Sequence, residues 1–201
     1  MKLLIASDVH GSAKYCRLLL DALNREGADK LVLLGDILYH GPRNDLPEQY
    51  APKEVIAMLS EVSDKIICVR GNCEADIDLE VLPFGISDNS LLFIDGLNIH
   101  LAHGHKCEPV LNKGDVYITG HTHVPLKEEK EYYHLNPGSV SIPKEDSAHS
   151  YILYENRKFV YKNLDGEEYD SLQISGAKVT PSSAVVRRNP VLHRKVVRRY
   201  R

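Results

Sequence analysis

Asp8 and His10, then Asp36, Asn72, His103, and finally His121 and His123 each sit just past a short apolar run of this 201-residue chain. Carboxylate, imidazole and amide groups in that mixture suit two divalent cations about 3.5–4 Å apart, with one carboxylate shared between them. Taken singly, each residue has an ordinary alternative as a cap, a turn residue or a solvated side chain. Their recurrence at the ends of successive buried segments singles them out, because an open α/β sheet presents its site beyond the carboxyl ends of its strands.

The elements that must position these side chains follow from hydrophobic periodicity. Lys2–Ser7 reads as a strand, and Ser12 caps a helical pattern in which Leu18, Leu19, Ala22 and Leu23 recur until Gly27 stops it. Leu31–Leu34 is a second continuous apolar strand ending at Gly35-Asp36, and a long polar connection runs from Tyr39 to Pro52. Helix returns with Val55, Ile56, Met58 and Leu59, and Ile66–Val69 is a third buried strand ending at Gly71-Asn72. Alternating strand and helix predicts a mostly parallel sheet for this half. Beyond about Pro83 the strands shorten (Leu91–Ile94, Leu97–Ala102, Val116–Thr119, Tyr132–Leu135, Tyr151–Tyr154, Phe159–Tyr161), which reads as a second sheet packed on the first.

In an extended segment the side chains at i and i+2 point the same way, so Asp8 with His10, and His121 with His123, could each grip one ion. By the same rule His100 faces away from His103 and takes a structural or surface role. Gly35 is expected to let a metal or phosphate approach the backbone beside Asp36. His134, His149 and His193 fall outside the ligand pattern.

Composition bounds the rest. With 43% hydrophobic and 26% charged residues, the chain is an ordinary globular mixture for one domain. No stretch approaches the ~18 apolar residues of a membrane span, and the N-terminal run is too short for a signal peptide, so a cytoplasmic protein is expected. Cys16, Cys68, Cys73 and Cys107 lack paired Cys-x-x-Cys spacing and are expected to be thiols. The net charge of −3 divides into +8 over residues 178–201 and −11 over residues 1–177. The basic tail could contact nucleic acid, an anionic surface or the acidic body, but Pro181 and Pro190 and the lack of periodicity favour a disordered, extended or appended segment. The body offers no basic groove and no interleaved aromatics, so a nucleic-acid partner has no support beyond the tail.

The order Asp8-Val9-His10, Gly35-Asp36, Gly71-Asn72, His103-Gly104-His105 and Gly120-His121-Thr122-His123 resembles the calcineurin-like metallophosphoesterase superfamily over about residues 1–165. Leu38–Asn44, Val69-Arg70-Gly71-Asn72-Cys73 and Asn136-Pro137-Gly138-Ser139-Val140 make it similar to the small bacterial YfcE-type phosphodiesterases. The resemblance implies a four-layer αββα sandwich of two mixed sheets flanked by helices; the domain is read at 1–175, and the basic tail at 176–201 has no counterpart in the resemblance. It implies that Asp8, His10 and His123 hold one ion, that Asn72, His103 and His121 hold the other, and that Asp36 bridges both. A hydroxide between the ions would attack the phosphorus of a small phosphodiester in line, and manganese suits the mixed oxygen and nitrogen ligands.

Many members of the superfamily carry His where this chain has Cys73, a position held to protonate the leaving oxygen; the YfcE-type members share the Cys. The general acid is therefore open between Cys73, a bystander thiol and the stabilising effect of metal or water. His105 could contact substrate or orient a ligand, and Arg43, Asn44 and Arg70 could meet phosphate oxygens or stabilise their loops instead. Alternatives of the same fold are a phosphomonoesterase and a non-catalytic scaffold. A homo-oligomer is compatible with the sequence, though no interface motif specifies one.

Overall fold

The computed structural model describes residues 1–176. The basic tail read from 176 to 201 lies, apart from Gly176, outside the described residues. In chain order the elements are β1 (Leu3–Ala6), α1 (Ala13–Glu26), β2 (Lys30–Leu33), α2 (Pro52–Ser60), β3 (Ile66–Val69), α3 (Asp76–Val81), β4 (Ile86–Ser87), β5 (Ser90–Ile94), β6 (Leu97–Leu101), β7 (Val116–Ile118), β8 (Pro125–Glu129), β9 (Tyr133–Pro137), β10 (Ser150–Glu155), β11 (Lys158–Asn163) and β12 (Glu168–Gln173).

They form two mixed sheets, one in the order β12-β11-β10-β1-β2-β3-β4 and the other β5-β6-β7-β9-β8. The expected parallel half is present, since β1 pairs with β2, β2 with β3 and β3 with β4 in parallel. The later strands divide differently from the expectation: β10, β11 and β12 join the first sheet through an antiparallel pairing of β10 with β1, Leu4 opposite Leu153. Strand β1 is thus central, and both its faces are buried.

The two faces of this sheet explain its layers. Leu4, Ala6, Leu31 and Leu33 point to one side and pack with Cys16, Leu19, Ala22 and Leu23 of α1. Leu3, Ile5, Val32 and Leu34 point to the other and meet Ile99, Leu101, Val116 and Ile118 of the second sheet. Burying each such aliphatic side chain contributes about 1.5–3 kcal/mol before chain entropy is counted, so these two clusters anchor everything mounted on their rims. Helix α1 begins where Ser12 Oγ accepts from Tyr15 N (3.3 Å) and ends where Gly27 turns left-handed and donates to Asn24 O.

All three α-helices among the described residues precede β4. The two mixed sheets and few helices are those of the expected sandwich. The connection between β6 and β7 carries Gly104, Pro109 and Gly114, which oppose helix formation, and three of its residues, Gly104, Lys106 and Glu108, line a concavity with Tyr117 and His134 of the second sheet.

Candidate metal centre

The chain leaves β1, β2 and the second-sheet strands β6 and β7 at one end of the sandwich, and the ligand-type residues meet there. Asp8, His10, Asp36, His121 and His123 all have left-handed backbone, with φ of 60°, 48°, 54°, 68° and 63°. Non-glycine residues hold that conformation only where surrounding bonds fix it. The fixing bonds are present. His10 N donates to Asp36 O (2.8 Å) and Asp8 N to Gly35 O (3.1 Å), while Ser139 Oγ and Ser141 Oγ both donate to Asp8 O (2.9 and 3.0 Å). Asp8 and His10 therefore do converge, but on a kinked loop rather than an extended strand, whereas His123 joins them and His121 turns instead toward His103.

Asp36 Oδ2 lies 3.7 Å from His10 Nε2 and 3.4 Å from His103 Nε2, and Asp8 Oδ1 lies 3.5 Å from His10 Nε2 and 3.3 Å from His123 Nε2. His10 and His123 face each other through their Nε2 atoms at 3.2 Å, and His103 Nε2 is 3.1 Å from Asn72 Oδ1. Asp8, His10 and His123 form one compact set of ligand atoms, and Asp8, Asp36 and His103 another. His121 stands beside the second set, its ring 5.1 Å from that of His103, and its N–H donates to Asp8 Oδ2 (3.0 Å).

The imidazole orientations test whether a cation fits. His10, His103 and His123 each place Nδ1 2.7 Å from a backbone carbonyl, of Tyr39, Leu34 and Ile142 respectively. A carbonyl only accepts, so Nδ1 keeps its hydrogen and Nε2 is the atom left to coordinate. Two Nε2 lone pairs 3.2 Å apart repel unless a proton or cation lies between them. Asp8 Oδ1 is also buried without a hydrogen-bond partner. Both observations fit a metal.

The charges reinforce one another. Burial disfavours the Asp8 carboxylate, yet His10 and His123 outweigh it and hold the group below the usual carboxylate range. Burial likewise disfavours the His103 imidazolium, but Asp36 and Asp8 raise its pKa to about 9. Burial, followed by the charge on His103, depresses His121 and His105. Burial and the Asp36 carboxylate push the Cys73 thiol up to about 12, so it stays protonated at neutral pH.

The ligands open onto a cleft of about 420 Å³ whose walls include Asn72, Cys73, Arg43, Asn44, Thr122 and Lys144. Arg43 and Lys144 enter no salt bridge among the described residues. Asn44 spends its amide N–H on His40 O (2.8 Å) and leaves its oxygen free for other contacts. Arg70 does not line the cleft; its guanidinium donates to Glu74 O (3.1 Å) and Asp76 Oδ1 (2.9 Å). His105 is also outside the lining, packed edge-on against His103 with its Nδ1 unpartnered. His100 pairs with Asp115 (3.2 Å), the structural role expected for it.

Two contributors have roles that the sequence pattern does not reveal. Glu74, only 6% exposed, accepts from Asp36 N (3.0 Å), Ile37 N (2.6 Å) and Gly71 N, so one carboxylate ties the Asp36 loop to the Asn72 loop. A single acid behind Gly-Asn-Cys carries no periodic signal. Asn136 donates to Gly120 O (2.7 Å) and to Thr122 Oγ1 (3.2 Å), holding the loop of His121 and His123. Gly35 serves another purpose than the expected one. A Cβ there would strike the Gly71 backbone, and one at Gly71 would strike Asp36, so the two glycines let the two ligand loops touch.

The architecture has counterparts among known proteins. Residues 1–158 match the calcineurin-like phosphoesterase superfamily domain. Over 162 residues the chain is 45% identical to phosphodiesterase YfcE of Escherichia coli (strain K12), covering 78% of this chain and 88% of that one. The solved structure of YfcE, a phosphoesterase from E. coli, superposes with a TM-score of 0.84 at 41% identity, covering 87% of this chain and 100% of that one. Vps29 from Chaetomium thermophilum, at 14% identity and a TM-score of 0.51 over 85% of this chain and 95% of its own, shares the fold alone. With more than three quarters of its length matched by the domain, this chain belongs to the calcineurin-like phosphoesterase superfamily.

Proposed function

We propose that this protein is a phosphodiesterase working through two divalent ions, one held by Asp8, His10 and His123, the other by Asn72, His103 and His121, with Asp36 shared. The observation that carries this reading is the position of Asp36 Oδ2 between His10 and His103, one imidazole from each set. Its other oxygen accepts from Cys73 N (2.9 Å), which fixes the carboxylate plane. Two such ions supply Lewis acidity that brings a water's pKa toward neutrality and offsets charge on phosphoryl oxygens, the chemistry of in-line hydrolysis.

The chain's own residues do the rest. Arg43 and Lys144 add positive charge to a cleft in an otherwise acidic body and favour an anionic ester there. Cys73, protonated and within 4.8 Å of both His10 and Asp36 ligand atoms, is placed to hydrogen-bond a leaving oxygen. With so high a pKa it is a weak acid, so esters with good leaving groups are preferred. Manganese suits the mixed carboxylate, imidazole and amide donors, and four free thiols agree with a reducing, cytoplasmic setting.

The test is hydrolysis of monoester and diester panels with manganese, magnesium, nickel or zinc, alongside Asp36→Asn. The reading requires metal-dependent diester hydrolysis that falls about 10³-fold in the variant. A variant as active as the parent refutes the shared carboxylate, and hydrolysis confined to monoesters replaces the substrate class.

A further inference from the structure

Past Cys73 the cleft gives way to a second groove of about 360 Å³, and Cys73 forms part of the wall of both. The groove is lined by Leu38, Tyr39 and Tyr50 from the segment after β2, by Ile56 of α2 and by Val81 of α3. Its one charged side chain among the described residues is Asp78, whose Oδ2 already accepts from Ala75 N (2.9 Å). Polarity therefore changes at Cys73: Arg43 and Lys144 stand on the cleft side, and aromatic and aliphatic carbon stands on the other.

The groove is also mechanically joined to the metal centre. Tyr39, whose ring is on the groove wall, gives its carbonyl to His10 Nδ1 at 2.7 Å. Helix α3 buries none of its own residues, and Val81 is 41% exposed, so this wall presents apolar surface to whatever enters. An ester bound at phosphorus beside Cys73 has one arm adjacent to this surface. Contiguous apolar lining beside a polar reaction centre is how small-molecule sites accept the organic part of a substrate.

We propose that the groove is the subsite for the departing arm of the diester, and that this arm is an apolar, uncharged group of aromatic size; the assignment rests on the phosphodiesterase reading. Hydrolysis adds the oxygen of water to phosphorus, breaks the P–O bond to that arm and releases it as an alcohol carrying one proton. Cys73 stands at the junction where that oxygen leaves.

Methyl phenyl phosphate and methyl 2-naphthyl phosphate release alcohols of similar acidity and differ mainly in apolar area, so they isolate the groove. With manganese, the full chain is expected to favour the naphthyl ester in kcat/KM by about tenfold, as burial of one further ring predicts. Val81→Asp should lower kcat/KM for both esters but more for the naphthyl one, bringing the two within about twofold of each other, and Val81→Leu should keep the preference. Independently of turnover, adding 2-naphthol to the metal-free protein should shift the Ile56 methyl resonances in the parent and not in Val81→Asp. Equal kcat/KM for both esters, a preference untouched by Val81→Asp, or an unmoved Ile56 signal would overturn the subsite alone. Hydrolysis of neither ester would overturn the phosphodiesterase reading and the subsite together.

Discussion

The two halves of the metal centre are built to different standards. Asp8, His10 and His123 are 0%, 1% and 3% exposed, and all three stand on left-handed backbone clamped by hydrogen bonds. On the other side only His103 is buried; His121 is partly open and Asn72 is exposed at the cleft. Burial makes the first set expensive to assemble without a cation and rigid once assembled, whereas an exposed amide can exchange with water or substrate at little cost. On the proposed ligand assignment, the first set would retain metal and the second would adapt.

Removing one member from each half probes that division most strongly. His10→Ala leaves a cavity among buried carboxylates, so the stripped variant should melt well below the stripped parent, and the metal-loaded variant should retain less metal than the parent after dialysis. Asn72→Ala should melt like the parent and lose activity about 10²-fold, with the loss recovered at high metal concentration. Metal analysis after dialysis and thermal unfolding of the stripped proteins measure both, and equal behaviour of the two variants would erase the distinction.

Glu74→Gln tests what holds the halves in register. Its new amide N–H₂ would face N–H groups that now donate to a carboxylate, so metal affinity should weaken about 10- to 100-fold. Titration with manganese reads this directly. An unchanged affinity would leave Glu74 with a purely structural role.

The smallest effect is in pH. His103 is raised to about 9 in the metal-free fold from the ordinary 6.5, so its protonated form stabilises that fold fully below about pH 6.5, and the contribution disappears as pH rises through 9. Metal must displace that same proton, so metal affinity should climb across the interval in which the stripped protein softens. Unfolding temperatures with and without manganese between pH 6 and 9.5 should therefore move in opposite directions; parallel curves would place the titrating group elsewhere.

Much of this was legible in the chain itself. The apolar runs that became β1, β2 and β3 end in Asp8, Asp36 and Asn72, and fully buried parallel strands leave that signature because both faces must be apolar. Strands β8 and β12 escaped notice because Pro125–Glu129 and Glu168–Gln173 are mostly polar and lie at sheet edges, where only one side of the backbone is paired. That β10 returns to β1 is a tertiary choice, invisible to local periodicity. The backbone of the ligand loops was invisible for a related reason, since residues as different as Asp, His and Ser141 act only through contacts distant in sequence.

The return of β10 to β1 has a consequence for how the enzyme is made. Five of the seven proposed ligands have been synthesised by residue 103, yet the seryl oxygens that pin Asp8, and the strand that flanks β1, come from residues 139–155. A ribosome-bound chain halted before that point carries most of the donor atoms but lacks the contacts that complete their placement. Full affinity for a cation at the proposed centre is accordingly expected only once nearly the whole domain has emerged.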